Sequence, residues 1–389
     1  MTLDKSCATH AEDVWDVVVV GGGPAGSAAA SHLAEAGKKV LVLEKQVRAH
    51  HKVCGEFLSL EARHYLHELR IDPLLLGAAR INRVRLHYRA KVARARLPFE
   101  AHGLSRFLLD EKLLTRAEVA GAQLRRGCTV TNIAPTGSGF RVSVGGLNSV
   151  STSAVFLATG KHELRNFKRP PREKNDLVGF KMHFNVSDSM RQTLVDHIDL
   201  MLFEDGYAGL QLIEGGRVNL CLLISKKRLA DLNKGWQAVP RYVADQAPYL
   251  HEFLDAAVPC WDRPVAVASL PYGYMHADEH GCDEGLYRLG DQFAVTPSFT
   301  GDGMSIALHT AKLACESLLE SNNRSAWFHR RARREIRPQV QTALRLARNM
   351  ERPATRCLGF TACRLFPSVL AHMAASTRLR APTSQAIWK

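Results

Sequence analysis

The chain has 389 residues, 46% of them hydrophobic, and carries 52 Lys and Arg against 38 Asp and Glu, for a formal net charge of +14. That length supports a sizeable core, in two domains or one large α/β domain, without disulfide staples. The surplus charge is confined: residues 321–389 hold thirteen Arg and one Lys against Glu335 and Glu351, so the body is nearly neutral and does not read as a nucleic-acid-binding surface.

Cys7, Cys54, Cys128, Cys221, Cys260, Cys282, Cys315, Cys357 and Cys363 form no C-x-x-C pair, and residues 1–13 are polar with no apolar h-region. Reduced thiols and a cytoplasmic setting are therefore expected. No run approaches the roughly 18 apolar residues of a membrane span.

Residues 15–45 read as strand, turn and helix, then a second strand. Val17 to Val20 are a β-branched run suited to a buried parallel strand. Gly21, Gly23 and Gly26 match G-x-G-x-x-G, whose glycines permit the tight turn, the approach of a pyrophosphate and the packing of helix on strand. Lys39 to Leu43 form the second strand, ending in Glu44 at the offset where a carboxylate meets ribose hydroxyls. This is a dinucleotide cradle that leaves the dinucleotide itself open.

Next, Arg48, His50, His51 and Lys52 precede Cys54-Gly55-Glu56, and Ser59 is placed to cap a helix from Leu60. A Gly-rich unit followed by a basic patch and Cys-Gly resembles the geranylgeranyl reductase branch of the flavoprotein superfamily that also holds p-hydroxybenzoate-hydroxylase-like monooxygenases. The resemblance implies that this loop lies beside the flavin ring. The reductases usually show Cys-Gly-Gly where this chain has Cys-Gly-Glu. Cys54 then packs as a small apolar residue, shapes the substrate pocket or serves as a redox thiol; Glu56 is a proton donor or an acid placed at a helix start. The two histidines are too isolated for a metal set.

Residues 80–100 alternate as half-solvated antiparallel strands, and the helix after them places Leu109 and Leu113 on one face, with Arg106 and Asp110 at its start. The resemblance makes Arg106 a flavin contact; a surface salt bridge is the other reading. A strand meander from Cys128 closes on Ala158-Thr159-Gly160, where the aromatic hydroxylases carry an Asp-Gly pair that this chain lacks. Reduction by NADPH in the hydroxylase manner is thereby put in question, and FAD binding is not.

Residues 165–174, rich in Arg, Lys and Pro, read as an exposed crossover. The strands beyond it suggest an antiparallel sheet. Phe180, Met182, Phe184, Met201 and Phe203 recur on alternate positions, most of them as core and a minority against a pocket. Tyr207-Ala208-Gly209 resembles a reductase segment, and Tyr272 and Tyr274 are candidates for substrate contact or turn packing.

Residues 286–314 resemble the Gly-Asp, Pro and Gly-x-Gly series of the same flavoproteins. The resemblance gives Asp291 a ribityl hydroxyl and sets Gly301-Asp302-Gly303, at a helix start, against the flavin pyrimidine, where backbone amides stabilise negative charge. The C-terminal arginine-rich helices then cover the substrate domain, bind an anionic membrane, or attract an acidic substrate or its carrier.

The fold expected is α/β: a Rossmann-like FAD-binding domain of the glutathione-reductase type with an inserted antiparallel β-sheet substrate domain and C-terminal helices. The FAD domain comprises 14–80, 101–165 and 284–320, the substrate domain 81–100 and 166–283, and the basic helical region 321–389. The cofactor residues implied are Gly21, Gly23, Pro24, Ala25, Gly26, Glu44, Lys45, Cys54, Gly55, Arg106, Asp291, Gly301, Gly303 and Met304. Catalytic candidates are Cys54 and Glu56, with no metal. The leading function is an FAD-dependent monooxygenase or oxidative tailoring enzyme acting on a hydrophobic or aromatic small molecule, with NAD(P)H as electron donor. The alternatives are an isoprenoid C=C reductase and a non-enzymatic flavin-binding protein. Placement is cytoplasmic or peripheral to the membrane, with no nucleic-acid partner.

Overall fold

A computed structural model describes residues 14–145, 149–170, 176–233, 235–277, 284–320 and 324–379. The first part runs β1 (Val14–Val20), α1 (Pro24–Glu35), β2 (Val40–Glu44), β3 (Phe57–Leu58), α2 (Leu60–Glu68), β4 (Ala79–Tyr88) and β5 (Lys91–Gly103). It continues with α3 (Arg106–Val119), β6 (Gln123–Arg126), β7 (Val130–Thr136), β8 (Gly139–Val144) and β9 (Val150–Leu157). The middle comprises β10 (Leu177–Val186), α4 (Asp188–Leu194), β11 (Asp196–Phe203), β12 (Gly206–Leu212), β13 (Val218–Ser225), α5 (Lys226–Asp231), α6 (Ala238–Gln246), α7 (Tyr249–Ala256), β14 (Ala257–Pro259) and β15 (Val265–Ala268). The last part is β16 (Leu286–Arg288), α8 (Gly303–Glu320), α9 (Ser325–Glu351), α10 (Pro353–Leu365) and α11 (Pro367–Ser376).

Two sheets organise the molecule. The first has the order β6-β2-β1-β9-β8-β7. Its centre is parallel, with Val20 opposite Leu43 on β2 and Leu157 on β9. Val17 to Val20 are buried on both sides, as a parallel strand covered by helices requires. β9 is shared: residues 150–152 pair with β8, while Val155 to Leu157 pair with β16 from the far end of the chain. One face of this sheet is covered by α1, α3 and α8, and α9 packs Phe328, Ala332, Ile336 and Val340 into the same core. The arginine-rich helix therefore covers the nucleotide domain, where the sequence pointed to the substrate domain.

The second sheet has the order β14-β10-β13-β12-β11-β4-β5-β3. It is antiparallel except at β11 and β4, which run parallel because the early hairpin β4-β5 joins the later strands there. Phe180, Met182, Phe184, Met201 and Phe203 all enter one core with α6 and α7. α10 and α11 close a separate core over β4 and β5. Among the described residues six cysteines are free thiols: Cys54, Cys221, Cys260, Cys315, Cys357 and Cys363. Cys128 is disulfide-bonded, a departure from the all-reduced expectation that spacing alone could not foresee.

Candidate active site

The glycine turn leaves β1 with Gly21 at φ 106°, a left-handed conformation in which a Cβ would also strike the Ala158 carbonyl oxygen at 2.5 Å. At Gly26 a Cβ would meet the Gly21 oxygen at 1.9 Å, so this glycine is what lets α1 approach β1. Gly23 is the N-cap of α1, Pro24 opens the helix and no side chain caps its first turn. Those amides stay free for an anion, reinforced by the helix dipole. Glu44 is buried, and its carboxylate accepts from Gly22 N–H at 2.7 Å and Gln46 N–H at 2.8 Å. Beside it a shallow cleft is lined by Glu44, Arg48, His50, Lys52 and Arg126, among others.

At the other end of the cradle, Asp291 lies in a turn after β16. Its carbonyl accepts from Arg169 Nη1 at 2.8 Å, and no described protein group bonds its carboxylate. Arg169 is itself buried and also donates to the carbonyls of Gly160 and Lys161, knitting the turn after β9 to the Asp291 turn. This corrects the reading of residues 165–174 as a wholly exposed crossover. Gly301 is left-handed at φ 74° under Phe57, and Gly303 opens α8. A Cβ on Gly55, Gly160 or Gly303 would meet nothing within 4 Å, and on Gly23 only Arg106 Nη2 at 3.7 Å. Free helix amides, an unengaged Asp291 carboxylate and open space at these four glycines fit an extended FAD.

Asp302, between the last two glycines, is fully buried. Arg378 reaches it from beyond α11, with Nη2 donating to Oδ2 at 3.0 Å and Nη1 lying 2.9 Å from Oδ1 without hydrogen-bond geometry. Burial nevertheless outweighs Arg378 and pushes the Asp302 carboxyl up to about 7.

Beyond the cradle lies a polar face of the second sheet. Alternation that sends Phe180, Met182 and Phe184 to the core turns Lys181 and His183 the other way, with Asn219 and Cys221 on β13 and Tyr207 and Gln211 on β12. There they meet the Cys54-Gly55-Glu56 loop. Asn219 Nδ2 donates to the carbonyls of Gly55 at 2.9 Å and Cys54 at 3.2 Å, and Gln211 Nε2 donates to the Glu56 carbonyl at 2.9 Å. These bonds hold Glu56 at φ 59°, a left-handed conformation costing about 1 kcal/mol or more for a non-glycine residue.

Glu56, Lys181 and His183 have fully buried side chains. Lys181 Nζ and the backbone N–H of Arg106 (2.7 Å) donate to Glu56 Oε1, and His183 Nε2 donates to Oε2 at 2.6 Å. Burial opposes ionisation of Glu56, but His183 and Lys181 together win and hold its carboxyl below the usual range. Glu56 is thus an ionised acceptor at the start of α3, which gives the expectation of a helix-start acid a different helix. His183 Nδ1 and His51 Nδ1 are buried without partners, and the two rings lie 5.0 Å apart, both against Trp261. Burial, then Lys181 and His183, lower the His51 pKa to about 4. Farther along the face, Tyr272 Oη lies 2.6 Å from Ser298 Oγ, which Tyr207 also contacts, and burial pushes the Cys221 thiol up to about 12.

Of the expected site residues, the structure brings together Gly21, Gly23, Pro24, Ala25, Gly26, Glu44, Asp291, Gly301 and Gly303 around the cradle, with Cys54 and Gly55 at its inner end. Arg106 is not a surface salt-bridge residue: its guanidinium pairs with Asp110 at 2.7 and 2.9 Å in a largely buried pair, and it borders Gly23. Lys45 is exposed, and Met304 is buried in the core of the nucleotide domain. Lys181, His183, Asn219 and Arg169 escaped the sequence reading. The signal for the first two was a Lys and a His at alternate positions of a largely apolar strand.

Residues 15–196 match the family model for pyridine nucleotide-disulphide oxidoreductases. Menaquinone reductase of Mycobacterium tuberculosis is 28% identical over 333 residues, spanning 80% of this chain and 78% of that protein. A digeranylgeranylglycerophospholipid reductase of Methanopyrus kandleri is 39% identical over 112 residues, 28% of this chain and 27% of that protein. The solved structure of the flavin-dependent brominase Bmp2 superposes with a TM-score of 0.76 at 17% identity, covering 94% of this chain and 95% of that one; at that identity the likeness speaks for the fold. Sheet order and cradle give the chain the fold of these flavin-dependent enzymes, and the family match covers its residues 15–196. Its similarities run to FAD-dependent oxidoreductases.

Proposed function

We propose that the chain reduces a C=C bond in a hydrophobic, polyprenyl-type substrate such as a prenylquinone or prenyl lipid, with NAD(P)H as electron donor. The observation that carries this reading is the buried Glu56-Lys181-His183 cluster next to Cys54-Gly55. Saturating an alkene needs a hydride at one carbon and a proton at its neighbour. FAD, when bound, supplies hydride chemistry at its ring. Lys181 and His183 serve as the proton-donating side chains of this face, and Glu56, ionised and saturated with donors, positions His183 through Oε2. Tyr207, Tyr272 and Ser298 offer hydroxyls to a substrate oxygen while the rest of the wall excludes water. The similarity to reductases across most of the chain supports the same reading.

A second reading, oxygen transfer to an aromatic small molecule, is favoured by the Tyr207 and Phe299 rings, which meet edge-on at 5.8 Å beside Ser298. One experiment separates the two. FAD-loaded protein, reduced anaerobically by NADPH or dithionite, is given a menaquinone, and products are read by mass spectrometry. A gain of two hydrogens that persists after the quinol is reoxidised in air, and that fragments to the isoprenoid chain, supports C=C reduction. Incorporation of labelled oxygen, with no anaerobic turnover, sinks it in favour of oxygenation; bleaching by dithionite but by neither nicotinamide removes NAD(P)H as donor.

A further inference from the structure

α10 buries Arg356, Phe360 and Cys363 against the second sheet, so helical periodicity sets Ala354, Leu358, Thr361 and Leu365 on the outward stripe. A helix resting on a water-facing body shows polar residues there. This one shows Leu358 at 72% exposure and Leu365 at 63%, and Phe366 follows at 61%. The chain then bends by 113° into α11; among the described residues no single helix is long and apolar enough to cross a membrane. Arg334, Arg337, Arg345, Arg348 and Arg352 are exposed at steps of three, four or eight residues, on one face of α9 that runs up to α10, and Arg364 is exposed beside Leu365. Between residues 336 and 379 the single acid is Glu351.

We propose that the α9–α10 junction and the α10–α11 elbow form an in-plane docking surface for anionic phospholipid bilayers. Leu358, Leu365 and Phe366 enter the acyl boundary, while Arg348, Arg352 and Arg364 meet phosphate groups. The depth of such insertion, about 5–10 Å, matches one layer of side chains, and the near absence of acids matches an anionic surface. Two contacts brace the elbow against the body: Arg356 Nη1 donates to the Phe203 carbonyl at 2.9 Å, and Arg378 fixes the end of α11 to Asp302. This inference does not depend on the reaction assigned to the site.

The test is co-sedimentation of the full, FAD-loaded chain with phosphatidylcholine vesicles, with and without phosphatidylglycerol. Pelleting is expected with the anionic vesicles at low salt and release at high salt. The variants L358Q/L365Q/F366Q and R348E/R352E/R364E should each lower the partition coefficient about tenfold or more, with FAD content and melting temperature unchanged. Absence of pelleting with anionic vesicles at low salt overturns the proposal, as does equal pelleting of both variants. A dimer on gel filtration that the leucine and phenylalanine changes dissociate, without vesicle binding, assigns the surface to a second copy of the chain instead.

Discussion

A carboxylate with a fully buried side chain survives ionised only where its partners repay desolvation, and Glu56 has three. Removing Lys181 leaves it undercompensated, so Lys181→Met should destabilise the protein by about 3 kcal/mol in urea unfolding. Glu56→Gln combined with Lys181→Met should lose less than the two single changes summed. Because the Glu56 pKa is depressed in the folded state, its contribution is present above the ordinary glutamate range and fades as pH falls through the folded value. Asp302 runs the other way. Its folded pKa is raised to about 7, so its contribution is fully present below the ordinary aspartate range and is lost as pH rises through about 7. Melting curves between pH 4 and 8 should show that decline, and Asp302→Asn should flatten it. None of this was legible in the sequence. Cys54-Gly55-Glu56 marked the place, but Lys181 and His183 come from a strand more than a hundred residues later, and their alternation on β10 does not record which loop they meet.

At the scale of elements, the cradle was legible because its chemistry is local: the glycines, Pro24 and Glu44 all lie within one strand-turn-helix-strand unit. Two glycines test its geometry in opposite ways. Gly26→Ala forces a Cβ to within 1.9 Å of the Gly21 oxygen, which should part α1 from β1 and abolish both FAD retention and a substantial share of stability. Gly303→Ala meets only open space in the protein. It should leave the melting temperature of the flavin-free protein unaltered and weaken FAD binding, measured by flavin fluorescence on dilution; unchanged affinity would mean that the ring lies elsewhere. The strands of the second sheet were legible as strands, yet which alternate set faced the pocket was not. Large apolar residues attract attention as pocket lining, while here they fill the core and leave the polar set to the site.

Across the whole molecule, the two glycine segments that fit the cofactor come from distant parts of the chain. The cradle comes from residues 14–44, its opposite wall from Asp291 to Gly303, and β16 completes the first sheet only by pairing with β9. During synthesis on the ribosome, the N-terminal glycine turn therefore waits for more than two hundred residues before the wall that faces it exists. Ribosome-bound chains halted at residue 277 should carry no flavin fluorescence, whereas released full-length chains should. Cofactor capture is thus expected only after Gly303 has been made, and a chain truncated anywhere ahead of it should purify without flavin.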